Sequence, residues 1–90
     1  MNLEKAVEIN SASTWLAFHL DGLRAARPEH LALIQSVTLA QMQTAKDVVE
    51  AHNQSVIDSG KGGRMQVVCE DRLLFRVKKF ADTFAKEAGA

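Results

Sequence analysis

Apolar residues recur along most of the chain at intervals of three and four, the spacing that lines one face of an α-helix. Leu3, Ala6, Val7 and Ile9 make residues 1–13 an N-terminal arm or a short helix, closed by the polar break Asn10-Ser11-Ala12-Ser13. From Thr14 to Ala26, the side chains of Trp15, Leu16, Phe18, Leu20 and Leu23 share one broad face. Asp21 and Arg24 lie opposite, and Gly22 is a weak point inside the helix. Pro28 then punctuates the chain. Proline is tolerated in the first turn of a helix, and Glu29 beside it suits the positive end of a helix dipole, so a second helix is predicted to start here. It meets no breaker until Asp58 and is stopped by Gly60. At 1.5 Å per residue, such a helix is a rod of roughly 45 Å.

Two apolar rows run along this predicted rod. Leu31, Ile34, Thr38, Met42, Ala45, Val49, His52 and Val56 form the main stripe, and Val37, Ala40, Thr44, Val48, Ala51 and Ser55 form a second row of small side chains beside it. One apolar face suffices for packing within a domain, so the second row predicts contact with a helix of another subunit. Beyond the loop Gly60-Lys61-Gly62-Gly63-Arg64, the stretch Met65-Gln66-Val67-Val68 fits either a helix start or an extended segment. A third helix then places Cys69, Leu73, Val77, Phe80, Ala81 and Phe84 on one face and leaves Phe75 off it.

The resulting expectation is an all-α single domain, 1–90: an antiparallel three-helix bundle or hairpin with a long central helix, or four helices if residues 1–13 form one of their own. The first helix is too short to cover the central one, which predicts a homo-oligomer. Its expected interface consists of Val37, Ala40, Thr44, Val48, Ala51 and Phe75.

Composition supports the helical class. One Pro, five Gly and no Tyr favour few long helices over many short strands, and an apolar content of 47% is too high for disorder. Formal net charge is zero, so bulk electrostatics announce no nucleic-acid or membrane partner. The distribution is uneven. Residues 1–60 carry four basic side chains (Lys5, Arg24, Arg27, Lys46) against seven acidic ones, and residues 61–90 carry seven basic against four acidic. A single cysteine, the absence of a basic-then-apolar leader and the lack of a membrane-length apolar run predict a cytoplasmic protein.

Three groups of residues are candidates for chemistry. The glycine-rich loop resembles a phosphate cradle only loosely, because it lacks the GxxxxGK[ST] and GxGxxG spacings, and a hairpin connection is the plainer account. Arg72, Arg76, Lys79 and Lys86 recur along one side of the third helix, with Phe75 and Val68 at its margin and Asp71 and Asp82 flanking it. With Lys61 and Arg64 of the loop, Arg72, Arg76 and Lys79 form a candidate anion-binding set. His19, His30, His52 and Cys69 show no HxxxH, HExxH or CxxC spacing, so core roles are expected for them rather than a metal. Glu70 and Asp71 are adjacent and diverge by about 100° on a helix, too far to share a substrate.

No cofactor, metal or catalytic residue is therefore expected. The function predicted is a non-catalytic protein–protein interaction module, an adaptor, inhibitor or small regulatory protein, acting as a helical homo-oligomer. The alternative is a nucleic-acid-binding or anion-binding module that uses the basic loop and the helix-three stripe.

Overall fold

The computed structural model describes residues 1–68 and 70–88, with side chains as far as Phe84. The described residues form four α-helices and no strand: α1 (Leu3–Leu20), α2 (Pro28–Ser36), α3 (Leu39–Ser59) and α4 (Asp71–Ala88). The helical class is as expected. The fourth helix, however, does not arise from residues 1–13.

Those residues belong to α1, which runs unbroken through Asn10–Ser13. Ser13 donates its hydroxyl to the Ile9 carbonyl one turn back (2.8 Å), and the Asn10 amide donates across the fold to the Gln66 carbonyl (2.8 Å). Polar side chains that compete with a helix when free are held in tertiary or backbone bonds here, so the break does not form. Asn2 caps the start, accepting from the Lys5 N–H at 2.8 Å. Gly22 ends the helix rather than weakening it. With φ at 76°, it lets its own N–H reach the His19 carbonyl and the Leu23 N–H reach the Phe18 carbonyl, each at 2.9 Å. That paired pattern is a Schellman stop.

The predicted central rod is two helices. α2 starts at Pro28 as expected but ends at Ser36, because Val37 and Thr38 are extended (ψ 158° and 161°). Thr38 caps α3 in a reciprocal box: its hydroxyl accepts from the Gln41 N–H at 3.1 Å, and the Gln41 side chain accepts from the Thr38 N–H at 2.8 Å. The far end of α3 falls at Gly60, left-handed at φ 68°, as the sequence predicts.

Packing follows from this division. α2 and α3 run end to end without lying side by side, and α1 packs against both of them and against α4. α4 crosses α2 more closely than α3. The core joins Ile9 and Leu16 of α1, Leu31 and Ile34 of α2, Met42 and Val49 of α3, and Leu74 and Val77 of α4. Val68, predicted at the margin of the basic stripe, is buried in this core. Residues 65–68 are neither helix nor strand and are strapped down by amide side chains. Asn53 both accepts from the Met65 N–H (2.9 Å) and donates to the Met65 carbonyl (2.8 Å), while Asn10 takes the next carbonyl.

Candidate partner-binding groove

The break at Val37–Thr38 opens a groove. α4 lies across the corner where α2 stops and α3 begins, and the space between them is about 650 Å³, lined by Val37, Thr38 and Leu39 on one side and Phe75, Lys79 and Thr83 on the other. Lys78 fixes this geometry. Its ammonium donates to the Ile34 carbonyl at 2.9 Å and the Gln35 carbonyl at 3.4 Å, satisfying the last turn of α2, and meets the Asp82 carboxylate at 3.0 Å. Gln35 returns a bond from α2 to the Ala81 carbonyl at 3.1 Å. Sequence reasoning overlooks Lys78. Its trace in the sequence is the four-residue spacing to Asp82, the ion-pair register of a helix.

Phe75 is 54% exposed in this groove, as its place off the apolar arc predicts. The rest of the expected interface does not form one line with it. Val37 is only 6% exposed and serves the core, since the chain leaves helical geometry there. Ala40, Thr44 and Ala51 stand exposed on α3, with Val48 half-buried among them. The expected rod of roughly 45 Å is not formed for the same reason, because the chain breaks at Val37–Thr38 into helices of 9 and 21 residues.

The five candidate anion ligands divide into two groups. Lys61 and Arg64 lie in the loop after α3, where Arg64 shares a shallow depression with Glu50 and the exposed Ile57. Arg72, Arg76 and Lys79 are exposed on α4, on the side that carries Phe75. The acidic residues that flank them in sequence do not dilute this face. Asp71 is held by Lys46 of α3 at 3.3 Å and Asp82 by Lys78, so the two carboxylates are engaged by lysines outside the stripe. Among the described residues, Arg72, Arg76 and Lys79 form no ion pair. Of Lys86, only the backbone is described.

The histidines are spread over the molecule. His19 bonds the Arg24 carbonyl through Nδ1 (2.9 Å) and packs on Phe80 (5.1 Å), securing the α1–α2 connection. His30 packs on Trp15 (5.3 Å), with Nδ1 buried and without a hydrogen-bond partner among the described residues, and burial holds its pKa below the usual imidazole value. His52 lies half-buried on α3, and its expected neighbour Cys69 is outside the described residues. Among the described residues, no three His, Cys, Asp or Glu side chains are grouped to hold a metal ion. No described helix is long and apolar enough to cross a membrane. Compared with protein-family models, curated proteins and solved structures, the chain matches none of them.

Proposed function

We propose that the protein is a non-catalytic protein-interaction module of the cytoplasm, an adaptor or small regulatory protein that presents the groove between the α2–α3 corner and α4 to a protein partner. One observation carries this reading: Phe75 stands half in solvent beside Val37 and Leu39, in a groove whose walls are fixed by Lys78 and Gln35. An exposed aromatic ring in a preformed apolar groove is the usual anchor of a protein interface. Covering the exposed half of the ring is worth about 2 kcal/mol at about 25 cal/mol/Å². Self-association belongs to the same proposal, through the exposed Ala40, Thr44 and Ala51 face of α3, where short side chains permit close approach of another helix.

Photo-crosslinking tests the principal claim. A benzoylphenylalanine placed at position 75 should give a discrete protein adduct in an extract of the source cells, insensitive to nuclease, whereas the same group at the exposed Glu4 of α1 should not. A nucleic-acid adduct from position 75, or identical adducts from both positions, removes the proposal.

A second reading has its own support. Arg72, Arg76 and Lys79 share one face of α4, form no ion pair among the described residues and suit a polyanion. Binding of that kind weakens steeply between low and moderate salt through counterion release. An affinity independent of salt removes it.

A further inference from the structure

We propose that the occupant of the Phe75 groove is an acidic segment of a partner protein: one or two Asp or Glu side chains within a helical turn of a Leu, Ile or aromatic anchor. The inference rests on the interaction reading above and names the chemistry of the partner. The floor of the groove is apolar, and of the three charged side chains that line it Lys78 pairs with Asp82, which leaves Lys79. On one wall α3 begins, its first turn without an acidic residue and capped by the neutral Thr38 and Gln41, while Lys78 meets the carbonyls at the end of α2 beside it. On the other wall stands Lys79, preceded along the same face of α4 by Arg76 and Arg72, which lie outside the groove lining; all three are exposed and free of ion pairs among the described residues. Asp82, the carboxylate lining the groove, is engaged by Lys78. An apolar anchor on Phe75 with carboxylates toward Lys79 and the α3 start matches both the floor and the field.

A nucleic-acid backbone fits less well, because it needs a continuous basic track, and the other two basic candidates, Lys61 and Arg64, follow the far end of α3. A second copy of this chain carries the exposed Leu3 beside Glu4, so the oligomeric state of F75A below separates that occupant from a partner protein.

Selection of a random-peptide phage library on the immobilised full chain tests the assignment. Enriched peptides should carry Asp or Glu within one turn of Leu, Ile, Phe or Trp. A synthetic copy of the best should lose about ten-fold in affinity or more on both F75A and K79E, and its acid-to-Lys counterpart should bind K79E better than wild type. Both positions are exposed, so the variants should keep the wild-type circular dichroism and melting temperature. Enriched peptides that lack carboxylates yet still require Phe75 overturn the acidic segment and leave the interaction module standing. No enrichment, or binding indifferent to both substitutions, overturns the groove assignment. A dimer dispersed by F75A gives the groove to a second copy, and labelled oligo-dT binding lost in K79E gives it to nucleic acid; either result overturns the proposal.

Discussion

Trp15 organises the connection between α1 and α2. Its ring lies within 4.3 Å of the Arg24 guanidinium and 4.2 Å of that of Arg27, and its indole N–H donates to the Ala25 carbonyl at 2.7 Å. Cation–π contacts and a satisfied polar tip hold the ring in place at a partly exposed position. His30 packs on the same ring, and the cost of burying a charged imidazole there lowers its pKa; Arg27 adds to the effect and Glu29 opposes it. A group harder to protonate in the folded state binds more protons when unfolded, so stability rises with pH between that lowered value and 6.5, and is lost as pH falls through the window. Thermal melts recorded by Trp15 fluorescence between about pH 7 and pH 5 should therefore show a smaller decline in melting temperature for H30Q than for wild type. Equal declines would show that His30 titrates as freely when folded as when unfolded.

Helix ends decide the shape of this protein. The box of Thr38 with Gln41 starts α3, and its T-x-x-Q spacing is visible in the sequence, where the apolar three-four register running through Thr38 masks it. T38A should cost about 1 kcal/mol and lower the midpoint of urea denaturation without changing the slope. Lys78 acts at the other side of the same corner, as an ammonium from α4 that satisfies the α2 carbonyls. K78M keeps the aliphatic stem and removes both the cap and the Asp82 pair, at an expected cost of about 1–2 kcal/mol in the same denaturation assay. Hydrogen exchange should rise at the end of α2 and along α4 in that variant and remain near wild type at Asn53 of α3. A K78M protein as stable as wild type would mean that α4 holds its place by apolar contact alone.

The whole molecule measures 49 × 27 × 22 Å, elongated because α2 and α3 follow one another while α1 spans both. Self-association through α3 predicts sedimentation as a dimer or larger species. A40E should disperse it with helicity intact, and a mass independent of concentration at that of the 9.9 kDa monomer would remove the oligomer. That experiment is separable from the groove, since Ala40 is not among the residues that line it. Much of the architecture was legible beforehand. The helical class, the start at Pro28, the stop at Gly60 and the exposure of Phe75 follow from the sequence by itself, because each rests on local constraints: the fixed φ and missing N–H of proline, the left-handed freedom of glycine and the 3.6-residue period. Tertiary structure decided the rest. Asn10 stays helical and the 65–68 segment is tied to α1 because an amide finds a carbonyl 56 positions away. The corner that makes the groove is held by an ammonium 44 positions from the carbonyl it caps. The positive face of α4 emerges only when Lys46 and Lys78 draw off Asp71 and Asp82. Such partners meet through packing, and a buried donor or acceptor accepts whichever complement the fold brings within 3 Å or so.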